Sequence, residues 1–351
     1  MLKNSDIANQ FEEQKNNLAE KITALYFANN KAFEKQYGSA GKKKCFEDVV
    51  YHISFLIEAL RLDFTEIYGQ YILWEASMLQ AQKIPVNDLR EIIRYTQMAI
   101  EEIMGKEALD TVIPYLQKAL NKLSQKQIPA RSFIQPDNPL KNEVEHYLFL
   151  LLKSKRKEAT TLISELIDRG TTVKSIYQNI FRVSQYEVGL LWQNNKITVA
   201  HEHYCTAATQ LIMSSLYKYI FTNDKKGKTM LACSIRGELH EMGIRMVADF
   251  FEMDGWDTYY LGANMPAEQL EMALIEQNAD LLAISVTLPT HISIAATLIK
   301  NLQANKQLSK LKILVGGYSF MQNPQLWQKI GADGFADSAE NAIEIANLIV
   351  A

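Results

Sequence analysis

Apolar and polar positions change rhythm twice along this chain. Over residues 1–128 the apolar residues recur at helical spacing, as in Val50, Ile53, Leu56, Ile57 and Leu60. That pattern predicts roughly six helices, with Pro85 and Asp88 marking one helix start. The segment 129–139 holds three of the eight prolines, a linker composition. Residues 140–224 are helical again, broken at Gly170-Thr171-Thr172 and Asn194-Asn195-Lys196, and their size suits a four-helix bundle. Lys225-Lys226-Gly227-Lys228 then reads as a short basic hinge. From Thr229 the rhythm turns to short apolar runs separated by helical stretches. The runs are Thr229–Ile235, Thr258–Gly262, Leu281–Val286 and Lys312–Gly317. Near-continuous apolar strands alternating with helices predict a doubly wound parallel sheet, Rossmann-like or flavodoxin-like, over 225–351. The fold class expected is thus α followed by α/β. In such sheets a ligand lies beyond the carboxyl ends of the strands.

Composition narrows the function classes. A chain of 351 residues exceeds one ordinary core, and 48% hydrophobic with 22% charged residues is a globular mix, not a disordered one. A net charge of −3 gives no overall pull on nucleic acid or anionic lipid, so neither is an expected partner. The opening residues carry no apolar core of a secretory signal. The run Leu148–Leu152 falls far short of the ~20 residues of a membrane span. The three cysteines, Cys45, Cys205 and Cys233, form no CxxC pair, so a cytoplasmic location is expected, without disulfides or a cysteine zinc site.

Chemistry concentrates after the first strand, in Gly237-Glu238-Leu239-His240-Glu241-Met242-Gly243. His240 falls at the strand's carboxyl end. Glu238, two residues upstream, can accept a hydrogen bond from one imidazole nitrogen and leave the other as a metal ligand. Gly243 removes a side chain where something bulky passes. Alone, such a histidine is more often a solvated loop residue. Ser285 and Thr287, closing the third strand, add hydroxyls at the same sheet edge. Gly316-Gly317, closing the fourth, allows close backbone approach.

These residues carry a resemblance. Segment 229–350 resembles the cobalamin-binding domain of methionine synthase, methylmalonyl-CoA mutase and their relatives, whose pattern is Asp/Glu-x-His-x-x-Gly, then Ser-x-Leu/Thr, then Gly-Gly. Glu238, His240 and Gly243, then Ser285 and Thr287, then Gly316 and Gly317 match it. The resemblance implies that His240 is the lower axial ligand of cobalt. Ser285 and the glycines would line the slot for the displaced nucleotide tail. Glu in place of Asp lengthens the arm that reaches the imidazole.

A second motif lies in the helical segment before it. Trp192, nine residues, then Glu202-His203 resembles the cap of adenosylcobalamin photoreceptors of the MerR type. There the Trp packs on the adenosyl group and the Glu contacts its ribose, roles the resemblance gives Trp192 and Glu202, with His203 beside them. Where those photoreceptors place a cobalt-capturing histidine after the Trp, this chain has Gln193, which puts that photoproduct in doubt. A core tryptophan with a helix-start glutamate is the plain alternative. The whole layout resembles the photocobilins, in which a globin-like helical domain binds biliverdin. This implies a bilin role for the first domain, with His52, Tyr51 and Tyr71 as the candidate contacts. A packed aromatic core and a satisfied core histidine are the plainer explanation of them.

Two functions stay open. One is a light sensor that binds adenosylcobalamin, and biliverdin in its first domain, and signals by photolysis of the cobalt–carbon bond. It would change conformation or assembly, as a homo-oligomer such as a dimer, and act on a downstream effector protein. It is a binding protein, not an enzyme. The other is a corrinoid methyl carrier of a cobalamin-dependent methyltransferase. A mutase subunit needs a barrel of ~250 residues that has no room here.

Overall fold

The computed structural model describes residues 2–125, 131–221 and 224–350. Contacts divide them into two units: residues 2–125 with Gln193–Asn195, and residues 131–192 with 196–350. Among the described residues no helix is long and apolar enough to cross a membrane.

The first unit is all helical. It has five helices where roughly six were expected: α1 (Leu2–Asn29), α2 (Lys31–Arg61), α3 (Thr65–Ala81), α4 (Val86–Met104) and α5 (Lys106–Leu123). The difference lies in α2, a merged pair of helices broken at Gly38, whose φ of 57° and ψ of −149° interrupt the helical geometry. Pro85 precedes α4, as its fixed φ allows. One face of each helix closes on a core of Phe11, Leu18, Ile22, Ile53, Leu56, Ile72, Ile93 and Leu116, all fully buried.

The second unit opens with residues expected to be a linker. Pro129 and Ala130 lie outside the described residues, but Ser132 and Phe133 are tied down. The Ser132 hydroxyl and the Phe133 amide both donate to the Glu187 carboxylate, at 2.9 and 2.7 Å. Then come α6 (Lys141–Leu152), α7 (Arg156–Asp168) and α8 (Val173–Ile176), which runs through a π-helical turn at Tyr177–Phe181 into α9 (Arg182–Gln193), and α10 (Val199–Ser215). Thr222 and Asn223, near the end of the expected cap, lie outside the described residues. The stretch read as a basic hinge is clamped. Lys225 pairs with Glu252 and donates to the Trp256 carbonyl at 3.1 Å, and Lys226 pairs with Asp254 at 2.6 Å.

The sheet follows: β1 (Thr229–Ser234), α11 (Met242–Met253), β2 (Asp257–Tyr260), α12 (Ala267–Glu276), β3 (Leu281–Ser285), α13 (Ile292–Ala304), β4 (Lys312–Gly316), α14 (Tyr318–Gln322), α15 (Leu326–Lys329), β5 (Gly334–Phe335) and α16 (Ala339–Ile349). All pairs are parallel and the order is β2-β1-β3-β4-β5. The chain reverses its winding between β1 and β3, and a crevice opens there at the carboxyl ends. Register sets Ser234 beside Ser285 and Ser285 beside Gly316. On one sheet face Met230, Ala232, Phe251, Trp256 and Leu314 form a core. The helical part 131–221 and the sheet, read separately from sequence, share a second core. Met246, Phe250 and Met253 of α11 pack among Tyr177, Phe181, Ile212 and Leu216.

Candidate functional site

The loop after β1 is pinned on three sides. Gly237, at φ 85°, donates its amide to the Asn264 side chain at 2.8 Å. The Asn264 amide donates to the Glu238 carbonyl at 3.0 Å, and the Ser234 hydroxyl to the His240 carbonyl at 2.8 Å. This holds the His240 imidazole, 58% exposed, at the mouth of the β1/β3 crevice. Its Nδ1 lies 2.5 Å from Glu238 Oε1, so the proton belongs on Nδ1, where the carboxylate accepts it. Nε2 keeps its lone pair, and among the described residues none hydrogen-bonds it.

Glu238 is fully buried. Its Oε1 also accepts the His240 amide at 3.1 Å. Its Oε2 accepts the amides of Thr287 and Leu288, each at 2.9 Å, and a hydrogen bond from His291 Nδ1 at 3.2 Å. Burial acts to raise the carboxyl pKa, but these bonds outweigh it and leave the group well below the usual carboxylate range. The hydrogen bond to Glu238 raises the His240 pKa against burial, with smaller Coulombic contributions from Glu238 and Glu202.

The other motif residues fall at the same edge. Ser285 is buried at the strand end. Thr287 contributes its backbone amide to Glu238, and the Ser319 hydroxyl holds the Thr287 carbonyl at 2.9 Å. Gly317, at φ 97°, is where backbones meet: an added Cβ would sit 2.5 Å from the Val286 carbonyl oxygen. The close approach that Gly316-Gly317 permits is thus one of protein to protein. Gly243 differs, since a Cβ there would meet nothing within 4 Å. Gly243 is exposed, so no side chain of its own stands over the start of α11.

Helices α9 and α10 supply Trp192 and Glu202. Trp192 is half-buried. The Glu202 carboxylate accepts the Thr206 hydroxyl at 2.9 Å and pairs with His203, whose ring is otherwise exposed. Helix α10 is tied to the His240 loop: Glu241 accepts Gln210 and Tyr260, each at 2.9 Å. Arg245 reaches the Ser214 hydroxyl at 2.7 Å, and Tyr177 donates to Asp249 at 2.8 Å.

In the first unit, His52 is fully buried, its Nε2 2.5 Å from the Tyr68 hydroxyl. Tyr71 stacks on Phe55 with ring centroids 4.0 Å apart, and its ring centre is 6.1 Å from that of His52. Tyr51 is 61% exposed and does not join them. A cavity of about 480 Å³ in this unit is bounded by Thr23, Lys42 and Phe46 among others, and none of the three bilin candidates lines it.

Among the described residues no three His, Cys, Asp or Glu side chains converge on a metal position. What the crevice offers is one oriented imidazole at its mouth. That donor set fits a metal whose other ligands come with its own macrocycle.

Residues 228–346 match the sequence model of a B12 binding domain, and residues 144–217 match a second B12 binding domain model. A corrinoid protein of Desulfitobacterium hafniense is 32% identical over 128 residues, 36% of this chain, and the match spans 57% of that protein's length. The dimethylamine corrinoid protein 1 of Methanosarcina mazei is 24% identical over 58% of this chain and 94% of its own. The structure of the Methanosarcina barkeri monomethylamine corrinoid protein superposes with a TM-score of 0.53 at 19% identity, covering 60% of this chain and 98% of the other, and shares the fold. Residues 144–217 and 228–346 are thus B12-binding segments, and cobalamin, with its cobalt, is the cofactor they indicate.

Proposed function

We propose that this chain is a corrinoid carrier that holds cobalamin with its nucleotide base displaced and His240 as the lower axial donor. The observation that carries this is the Glu238–His240 pair at the β1/β3 crevice, with Nε2 free and Gly243 placing no side chain over the start of α11. A bound corrin would supply a cobalt able to accept and release a one-carbon group. The protein's part is orientation and exclusion. Glu238 keeps the proton at Nδ1 and makes the imidazole a better donor. The amides of Thr287 and Leu288 fix Glu238. Helices α9 and α10 would cover the other side of a bound corrin. The corrinoid relatives, two of them named for methylamine chemistry, support the carrier role.

The test is binding of aquocobalamin followed by its absorption spectrum. The parent should show the spectrum of an imidazole-bound cobalt, and His240→Ala that of a water-bound one, with affinity reduced about 10- to 100-fold. An unchanged spectrum in the variant overturns the assignment.

Trp192 and Glu202 favour a second reading, the adenosylcobalamin light sensor, with Trp192 against adenine and Glu202 on the ribose hydroxyls. In that reading the helical first unit is globin-like and takes biliverdin, and illumination changes the dimer or its effector contacts. Preference for methylcobalamin supports the carrier. Preference for adenosylcobalamin, its bleaching under green light, and loss of adenosyl retention in Trp192→Ala support the sensor.

A further inference from the structure

The first unit holds a groove that neither functional reading fills. It runs between α1 and α2, has a volume of about 480 Å³, and is bordered by Thr23 and Ala24 of α1 and by Ser39, Lys42, Lys43 and Phe46 of α2. Small-molecule sites have volumes of roughly 300–1,000 Å³. Spacing explains the border, since Ser39, Lys42, Lys43 and Phe46 share one face of a helix. Helical geometry breaks at Gly38 and starts afresh at Ser39, so the positive end of a helix stands at the groove. Two glycines make that start. Gly38 has a φ of 57°, and a Cβ on Gly41 would collide with the Tyr37 side chain. Charge and burial then set what the groove can hold. Among the described residues neither Lys42 nor Lys43 pairs with a carboxylate, although the next residue, Lys44, pairs with Asp48 at 2.9 Å. An exposed Glu20 also borders the groove, so two ammonium groups face one carboxylate and the border is net positive. Thr23 is 2% exposed, and its buried hydroxyl oxygen has no hydrogen-bond partner. Its polar neighbour is the Cys45 thiol, a weak acceptor. A hydroxyl buried in this way is costly unless a partner meets it.

We propose that the groove between α1 and α2 binds the phosphate group of a small phosphorylated molecule. Lys42, Lys43 and the Ser39 hydroxyl hold the phosphate oxygens, the Thr23 hydroxyl gains its missing partner, and Phe46 and Ala24 pack on the rest of the ligand. Phosphate rather than carboxylate follows from the donors. Lysines act as point charges and a helix start offers backbone amides, which together suit a compact group of more than one charge. A carboxylate is held best by the planar fork of an arginine, and among the described residues no arginine borders the groove. The site stands whether or not His240 is the cobalt donor.

The test titrates the full chain, its threonine methyl groups carbon-13 labelled, with inorganic phosphate and separately with acetate, at constant ionic strength. The Thr23 methyl signal is assigned by its loss in Thr23→Val. Phosphate should shift that signal saturably, and acetate should leave it in place. Lys42→Gln combined with Lys43→Gln, both at exposed positions that the fold tolerates, should weaken phosphate binding about tenfold. Thr23→Val keeps the shape and removes the hydroxyl, and should weaken binding about threefold, read from the phosphorus-31 line width. Lys153→Gln combined with Lys155→Gln, exposed lysines of the second unit, should leave the affinity unchanged. A Thr23 signal that does not move, an equal response to acetate, or equal phosphate affinity in the parent and the Lys42/Lys43 variant would each overturn the proposal. So would an equal loss in the Lys153/Lys155 variant, since only the general pull of surface charge would then be at work.

Discussion

Replacing Asp249 by asparagine isolates one buried charge in the seam between the helices and the sheet. Asp249 is 6% exposed and accepts the Tyr177 hydroxyl at 2.8 Å. Burial raises its pKa from 3.8 to about 6. Tyr177 and Arg245 pull it down and Glu252 pushes it further up. The folded protein therefore keeps a proton that the unfolded chain gives up between those values. The resulting stabilisation is complete below pH 4, falls as pH rises through 6, and is gone above. At about 1.4 kcal/mol per unit the whole contribution is at most about 3 kcal/mol, of which about 2 kcal/mol is lost between pH 4.5 and 7.5. Asp249→Asn stays neutral throughout and still offers Tyr177 an acceptor. Relative to the parent it should gain about 2 kcal/mol over that pH span, or about 1 M in urea midpoint at a slope of about 2 kcal/mol/M. Urea unfolding of both proteins at pH 4.5, 6 and 7.5 measures the gap. A gap that does not change with pH would refute the reasoning.

Other outcomes follow from single contacts. Gly317→Ala adds a Cβ 2.5 Å from the Val286 carbonyl at a φ of 97°. The backbone cost of about 1–2 kcal/mol and the forced shift of the β3 end together should exceed about 3 kcal/mol in a denaturation experiment. Tyr147→Phe removes the bond to Thr209 at 3.0 Å inside the helical core and should cost about 1 kcal/mol. Burial pushes the thiols of Cys45, Cys205 and Cys233 up to about 12, 11 and 12. All three should resist iodoacetamide at pH 8 until the protein unfolds, and a fast stoichiometric label on native protein would contradict this.

How far the fold could be read depended on the length of each signal. β1, β3 and β4 announce themselves as runs of buried apolar residues, because a central parallel strand is covered on both faces, whereas β2, Asp257–Tyr260 at the sheet edge, is only partly buried. β5 is only Gly334 and Phe335, too short for any periodicity. Glu238 and His240 are two residues apart, so their pairing is local and legible. His291 meets the same carboxylate from 53 residues away and follows no spacing rule. A histidine two residues after a proline behind a strand was the one available sign. Gly316-Gly317 is legible as a place without side chains, but which backbone lies against Gly317 is not, since that depends on how β3 and β4 end side by side. The Glu202 side chain shows its relation to His240 only once α10 is laid over the sheet. Tyr177 and Asp249 meet through a π-helical turn, whose extra residue shifts every later side chain around the helix.

The packing of Met246, Phe250 and Met253 of α11 into a core built mostly by residues 144–220 has a practical corollary for anyone dissecting the gene. A fragment cut at residue 225 would carry these three side chains without the partners that cover them, and such a bared greasy strip invites precipitation. Residues 131–350 keep all three covered.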